Sequence, residues 1–275
     1  MCRGTLKKRI VDWIQGDKFI DIADYRYAPA KRAKDDYNNL SNTLEESDGI
    51  IYTHTMYVEG LFEALSRANT EVVVITHNSD ASACITPPDN VKRWYSQNVD
   101  IIHPRVESLP IGIENNRWYP KKRGEMIKCL SEKRELGNLA YMNHSIRTNL
   151  MKRELLYRMF EDKSWVDAAQ GRNGYRFSEY IRDIYNHRFI FCPEGNGIDT
   201  HRTWECLYMG SIPIMKRNIN NTFYTDLPIC YVDSWEEVTE DFLQEEHVRI
   251  KSKTWNMEKL NFEYWKDKIR SHGNF

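Results

Sequence analysis

The sequence lacks several features that would settle its class at once. It contains no apolar run long enough for a signal peptide or a membrane helix, although Lys7, Lys8 and Arg9 lie near the N-terminus. With 39 basic and 40 acidic residues the net charge is −1, so no broad electrostatic attraction to nucleic acid is expected. We therefore expect a soluble, cytoplasmic protein that neither spans a membrane nor binds nucleic acid. The sequence leaves its oligomeric state open.

Signals for metals and disulfides are also absent from the sequence. The six cysteines form no CxxC pair and show no metal-binding spacing, so reduced thiols are expected. No DxD triplet occurs, and Asp35 and Asp36 adjoin Lys34 in a charged stretch typical of a solvated helix face. We therefore expect no bound Mg²⁺ or Mn²⁺ and no other cofactor.

What is present indicates an α/β protein. The 275 residues, 41% of them apolar, can form one large or two modest cores. Strand and helix patterns alternate along the chain, which favours parallel sheets. Strands are predicted at 19–22, 49–53, 71–75, 99–102, 108–113, 138–142 and 229–232, and helices at 58–68, 147–160, 176–185, 235–243 and 257–269.

The polar stretch 118–126, which contains proline and glycine, is the best linker candidate. It predicts two facing domains with a cleft between them, residues 1–125 and residues 126–255. The 16 tyrosines and 8 tryptophans favour carbohydrate binding without deciding it, because such rings also fill cores.

Residues 189–215, FIFCPEGNGIDTHRTWECLYMGSIPIM, form the most informative segment. The pattern predicts a buried strand, a glycine-containing loop, a helix that Gly210 ends, and a second strand. Gly195 and Gly197 would let the backbone approach a ligand closely, and Asp199 or Thr200 could cap the helix.

The start of this helix predicts a site for a nucleotide diphosphate. Free N–H groups at a helix N-terminus favour phosphate, and Arg202 in the first turn adds charge. Glu205 shares one helix face with Arg202 and His201, and its carboxylate could accept two ribose hydroxyls. The alternative is an ordinary α/β unit in which Arg202 and Glu205 form a surface ion pair worth ~0.5 kcal/mol.

Two familiar phosphate motifs do not fit the chain. The loop 195–200 has only two of the three glycines of a dinucleotide fingerprint, and Lys216 stands where an acidic residue would be wanted. No GxxxxGK[ST] occurs, which argues against a P-loop phosphotransferase.

Polar residues follow several predicted strands, where ligands of open α/β sheets bind. In the first half His77 with Asp80, and His54 on an adjacent loop, are candidates for a general base. An Asx-type turn is the structural alternative for residues 78–80. In the second half Arg147 could meet the same phosphates as Arg202, or lie solvated at a helix start.

The segment 192–215 resembles the nucleotide-sugar-binding segment of exostosin-like glycosyltransferases, the GT47 type. THNSD at 76–80 and the stretch 98–120 are similar to the acceptor-side domain of small members of that group, including xylosyltransferases encoded by large algal DNA viruses. The similarity covers roughly residues 50–233 and is most specific at 195–213. If the chain is viral, the host cytoplasm is the expected location.

The resemblance implies a GT-B fold, which has two facing Rossmann-like domains and a C-terminal helix, here 256–275, returning to the first domain. It implies that Glu205 holds the ribose hydroxyls and that other residues meet or close the diphosphate site: Asn143, Arg147, Gly195, Asn196, Gly197, Thr200 and Arg202. No residue of the first domain matches a family motif closely enough to be assigned as the base.

The leading hypothesis is an inverting, metal-independent transferase that moves a sugar, with xylose the best guess, from a UDP-sugar to a glycan hydroxyl. Cationic groups and a helix N-terminus would stabilise the departing UDP. A nucleotide-sugar epimerase or hydrolase of the same fold, and a non-catalytic glycan- or nucleotide-binding module, are the alternatives.

Overall fold

The structure is a computed structural model that describes residues 12–28, 48–169 and 175–273. These residues form two compact units. The first contains the described residues up to Ile111 and those from Glu258 onward, and the second runs from Gly112 to Met257. The sequence predicted that the first domain ends at residue 125, which is later than in the structure. It predicted the return of the chain to that domain at residue 256, close to the observed Glu258.

The first unit is built on a parallel five-stranded sheet in the order β1-β2-β3-β4-β5. Four residues of β3, 72–75, are completely buried, as expected for a β-branched run in the middle of a parallel sheet. The strands are β1 Tyr25–Arg26, β2 Gly49–His54, β3 Val72–His77, β4 Val91–Ser96 and β5 Val106–Ser108.

Two helices before and after β2, α1 Gly16–Ile20 and α2 Val58–Leu65, belong to the same unit. A final helix at the end of the described chain, Phe262–His272, also packs there. The N–H of Phe262 donates to the carbonyl of Asp12 at 2.8 Å, and the Phe262 ring lies 5.3 Å from the Phe19 ring. The predicted return of the C-terminal helix to the first unit is therefore confirmed.

The second unit has its own parallel five-stranded sheet, in the order β10-β9-β8-β6-β7. Its strands are β6 Ala140–Met142, β7 Val166–Ala168, β8 Phe189–Phe191, β9 Ile212–Lys216 and β10 Cys230–Val232. Its helices are α3 Lys122–Ser131, α4 Leu150–Phe160, α5 Phe177–Asn186, α6 His201–Met209 and α7 Glu240–Ser252, and the final helix Phe262–His272 is then α8. Two Rossmann-like units with a returning C-terminal helix are the parts of a GT-B fold, so the predicted fold class is confirmed.

Several local predictions are wrong. The strand predicted at 108–113 is found at Val106–Ser108, and the helix predicted at 235–243 begins as a 3₁₀ turn at Trp235–Glu237, with α7 starting only at Glu240. Residues 19–22 are not a strand, because Phe19 and Ile20 form the end of α1. From that helix the Phe19 ring stacks on the ring of His77, with 4.9 Å between the ring centroids. The fourth strand is β4 rather than 99–102; Lys92 and Arg93 interrupt its apolar pattern. The supposed linker contains the start of α3, where the buried Lys122 has a tertiary partner.

No helix among the described residues is both long and apolar enough to cross a membrane.

Candidate functional site

The segment 189–215 folds as its pattern predicts. β8 is fully buried, a loop follows it at the carboxyl end of the second sheet, and α6 begins at His201. Gly210 ends α6 with a φ of 73°, a left-handed conformation that glycine adopts without strain. The loop thus meets the N-terminus of a helix, which is the local geometry that favours an anion.

Thr200 occupies the N-cap position of α6, but its side chain makes no capping hydrogen bond. The carboxylate of Asp199 instead accepts from the Thr200 N–H at 2.8 Å and from the indole N–H of Trp204 at 2.9 Å. The side chain of Asp199 therefore stabilises the first turn of α6 through these two hydrogen bonds. Asn196 is exposed in the same loop.

Gly195 allows a side chain to approach the loop closely. A Cβ atom at this position would lie 3.1 Å from Nη2 of Arg153. The N–H of Gly195 donates to the Gly197 carbonyl at 3.0 Å, and the Gly195 carbonyl accepts from Asn149 at 2.9 Å. These bonds hold the loop in one conformation.

Arg153, which the sequence analysis missed, clamps the loop from α4. Its side chain donates to the carbonyls of Glu194 at 2.8 Å and Ser145 at 3.0 Å, and the residue is only 9% exposed. Asn149 caps α4, so Arg153 lies in the first turn of that helix. The sequence signal that could have identified Arg153 is its position four residues after Asn149, a residue type that often caps helices.

Arg202 brings a second guanidinium to this loop. Its Nη1 atom is buried and has no hydrogen-bond partner among the described residues. The guanidinium carbon lies 5.0 Å from the centre of the Tyr180 ring, a cation–π contact that leaves Nη1 available as a donor. A donor of this kind is suited to an anionic acceptor.

His144, in the loop after β6, lies near Arg153 and Arg202 and also has a buried nitrogen without a partner among the described residues. It is 2% exposed, its Nε2 faces the Arg153 carbonyl at 3.2 Å, and its Nδ1 has no partner among the described residues. Burial, opposed by the Arg153 carbonyl and assisted by the nearby charges of Arg202 and Arg153, lowers the pKa of His144 to about 4. His144 is therefore neutral at pH 7 and adds a polar group without charge.

Glu205 is buried, and both of its carboxylate oxygens have protein partners. One oxygen lies 2.7 Å from the ammonium of Lys122, and the other accepts from the Tyr180 hydroxyl at 2.7 Å. Burial raises the pKa of Glu205, but Lys122, Tyr180 and His201 together hold it below its usual value, so the group is ionised. Its partner is Lys122 rather than Arg202, so the surface ion pair considered as an alternative does not form.

The remaining predicted residues of this unit have different surroundings. Nδ1 of His201 donates to the Gly112 carbonyl at 2.8 Å, while Nε2 lies 3.5 Å from Glu114. Asn143 donates to the Tyr141 hydroxyl at 2.9 Å. Arg147 is exposed in a 3₁₀ turn. The helix predicted to start at Arg147 begins three positions later, at Leu150, so Arg147 lies before α4.

The three base candidates of the first unit lie at or just after the carboxyl ends of β2 and β3. His77 is fully buried; its Nδ1 accepts the Asn78 N–H at 2.8 Å, and its Nε2 faces the Pro110 carbonyl at 3.1 Å. Both ring nitrogens are thus engaged in a neutral tautomer. Asp80 is exposed, and half-buried His54 directs Nδ1 to the Asn78 carbonyl at 3.2 Å.

Within residues 12–28, 48–169 and 175–273, no three His, Cys, Asp or Glu side chains are grouped so as to hold a metal ion.

Comparisons with protein-family models and with curated protein sequences give no match. Two solved α,α-trehalose-phosphate synthases are similar at 11% identity. The UDP-forming synthase of Burkholderia xenovorans has a TM-score of 0.47, and the match covers 82% of this chain and 73% of that one. The synthase of Burkholderia multivorans has a TM-score of 0.49, with 86% of this chain and 73% of that one covered. An α1,3-fucosyltransferase with GDP-fucose is similar at 12% identity, with a TM-score of 0.44 over 84% and 79%. The fold assigned above rests on the strand order of this chain itself.

Proposed function

We propose that this protein is a glycosyltransferase that moves a sugar from a UDP-sugar to a hydroxyl of a glycan acceptor. The observation that carries the proposal is Arg202. It places a buried, unpartnered guanidinium N–H in the first turn of α6, beside a loop held in one conformation.

An anion explains this arrangement better than a packing role does. A buried donor without a partner costs about 1–3 kcal/mol, and more when it is charged. The buried carboxylate of Glu205, on the same helix as Arg202, already binds Lys122 and Tyr180. A diphosphate at the N-terminus of α6 would satisfy Arg202 and add the favourable helix-terminus interaction.

The nucleoside part of the proposal depends on Glu205. An ionised carboxylate has acceptor capacity beyond the two bonds it makes here, so it can also accept ribose hydroxyls. Because Glu205 is only 2% exposed, Lys122 or Tyr180 must move for a ribose to reach it. Asn143, Arg147, Thr200, His201 and the loop 195–197 are proposed to line the rest of the donor site.

The finer points of the proposal are inversion at the anomeric carbon, independence from metal ions, and xylose as the sugar. The acceptor oxygen forms a bond to the anomeric carbon, a base takes its proton, and the electron pair of the broken bond leaves with UDP. Arg202 and the start of α6 would stabilise that leaving group. Xylose follows only from the resemblance to the exostosin-like enzymes.

Calorimetry with UDP tests the proposal. Arg202→Gln should weaken UDP binding by roughly 10–100-fold, since a charge-assisted hydrogen bond worth ~1.5–3 kcal/mol is lost. Arg158→Gln is the matched control, because Arg158 is exposed on α4 and pairs only with Glu154 among its described contacts. Unchanged UDP affinity in Arg202→Gln would remove the proposed site.

A transfer assay then separates the rival activities. Product that forms only when a glycan is added supports the transferase, and persistence in EDTA supports metal independence. Turnover of the UDP-sugar without acceptor would instead indicate an epimerase or hydrolase. UDP binding without any turnover would indicate a binding module.

A further inference from the structure

His144, in the loop after β6, is held in one tautomer by the first turn of α4. Its Nε2 lies 3.2 Å from the carbonyl oxygen of Arg153. A carbonyl oxygen can only accept, so the proton of the neutral ring is on Nε2 and the lone pair is on Nδ1. That Nδ1 atom is buried and has no hydrogen-bond partner among the described residues. His144 therefore presents a buried hydrogen-bond acceptor that the described protein groups leave open.

Arg202, at the start of α6, presents the complementary group nearby. Its buried Nη1 is a donor, and it too has no partner in the described part of the chain. The two residues are close enough for the charge of Arg202 to help lower the pKa of His144, yet the open donor and the open acceptor do not bond to each other. Both residues belong to the second unit. One further group is needed to satisfy both atoms.

Hydrogen-bond complementarity defines the chemistry of the group that fits this pair. The group must donate to Nδ1 of His144 and accept from Nη1 of Arg202. An ionised phosphate oxygen can only accept, and an ammonium group can only donate. A hydroxyl group does both, as does a water molecule. The pair therefore fits an O–H group and does not fit a second phosphate oxygen.

We propose that His144 is a binding residue for a hydroxyl group of the donor sugar. Its Nδ1 accepts the hydrogen of that hydroxyl, and the hydroxyl oxygen accepts from Nη1 of Arg202. Nη1 carries two hydrogens, so it can donate one to the hydroxyl and the other to the diphosphate. Because His144 is only 2% exposed, neighbouring groups must move for a sugar to reach it.

The inference rests on the proposed transferase function and deepens it. It names a specificity determinant that acts on the transferred sugar and not on UDP, because UDP alone lacks that sugar. All the groups it uses lie in the second unit.

Calorimetry with UDP, UDP-xylose and UDP-glucose tests the inference. His144→Gln keeps an N–H near the position of Nε2 for the Arg153 carbonyl and removes the acceptor at Nδ1. It should leave the UDP affinity unchanged. It should weaken binding of whichever UDP-sugar the wild type binds more tightly by about 5–10-fold, because one hydrogen bond is lost. His144→Asn, which places an amide oxygen near the position of Nδ1, should recover part of this loss.

Monodeoxy analogues of that UDP-sugar identify the hydroxyl. Removing the hydroxyl that contacts His144 should weaken binding to the wild type by the same factor and add no further loss in His144→Gln. His247→Gln is the matched control, because it makes the same substitution at a half-buried histidine of α7, whose ring lies 6.2 Å from the Phe189 ring. It should keep the affinities for UDP and for the UDP-sugar.

Equal changes in the affinities for UDP and for the UDP-sugar in His144→Gln would overturn the inference and indicate that His144 holds a buried water or only packs. A wild type that binds UDP but neither UDP-sugar would also overturn it. If the variants fail to fold, the analogues decide with the wild type alone: the inference fails if no single deoxygenation weakens binding. A wild type that binds no UDP would instead overturn the proposed function.

Discussion

The carboxyl ends of the two sheets are built from different chemistry. In the second unit they carry buried ionic groups, with Arg153 and Arg202 at the loop and Lys122 paired to Glu205 beside it. In the first unit the groups around Asn78 are mostly neutral, and hydrogen bonds join them into one network. The second arrangement suits an anionic ligand, whereas the first suits the exact placement of an imidazole.

Polar satisfaction differs in the same way. His144 and Arg202 each leave a buried nitrogen without a partner among the described residues. At Asn78 the N–H, the carbonyl and the side-chain amide all have partners. The buried nitrogens of His144 and Arg202 thus keep hydrogen-bonding capacity open beside α6, whereas the polar groups of Asn78 are used to hold one conformation. The first unit has an open group of its own in the buried Oγ1 of Thr55, which has no partner among the described residues.

The largest expected effect concerns the ionic pair of the second unit. Lys122→Met should lower the free energy of unfolding by about 3–5 kcal/mol, because it leaves the buried Glu205 charge without its cation. Urea denaturation measures this, and Glu205→Gln added to Lys122→Met should recover part of the loss. A cost below about 1 kcal/mol for Lys122→Met would show that buried charge does not distinguish this unit.

A second prediction uses the pH dependence of stability. Because the pKa of His144 is about 4 in the folded protein and about 6.5 when unfolded, the unfolded state binds the proton first on acidification. The contribution of His144 is fully present above pH 6.5 and falls by about 3 kcal/mol as the pH drops to 4.

Denaturation curves across that range, compared between wild type and His144→Gln, isolate this contribution from the carboxylates that titrate with it. The variant should lose stability less steeply between pH 6.5 and 4. Identical slopes would mean that His144 is not buried as a neutral group. His247→Gln, in α7, is the control: its pKa is also lowered, by burial first and then by nearby Lys251, but the residue is only half-buried.

The smallest effects compare a glycine from each unit. Gly16→Ala should destabilise the protein by about 1–3 kcal/mol, because the new Cβ would overlap Asn78 and approach Nδ1 of His77 to 2.7 Å. Gly195→Ala should cost less than about 1 kcal/mol, since only the end of the Arg153 side chain must shift. Equal losses of melting temperature would contradict the difference in rigidity between the two regions.

Much of the segment 189–215 was predictable because its signals are local. The apolar run of β8, the glycines after it and Gly210 at the end of α6 each act over a few residues. Arg153 and His144 were missed for the opposite reason. Each lies in a separate loop or helix, and only the fold brings them next to Arg202.

The first unit shows the same limit. The motif THNSD indicated polar groups after a strand and left His77, Asp80 and His54 as equivalent candidates. Their differences arise from partners far away in the sequence, such as Pro110 for His77. Asp17 carries no local signal at all, and its contact with Asn78 joins residues 61 positions apart.

The sequence by itself determined the α/β class, the two-unit organisation and the strand–loop–helix segment at 189–215, because periodicity and glycine placement act locally. Only the tertiary structure decided which polar groups meet. It paired Glu205 with Lys122, left Arg202 with an unsatisfied donor, and set the tautomers of His54 and His77. Those outcomes depend on burial and on hydrogen-bond partners from distant segments, which no short stretch of sequence contains.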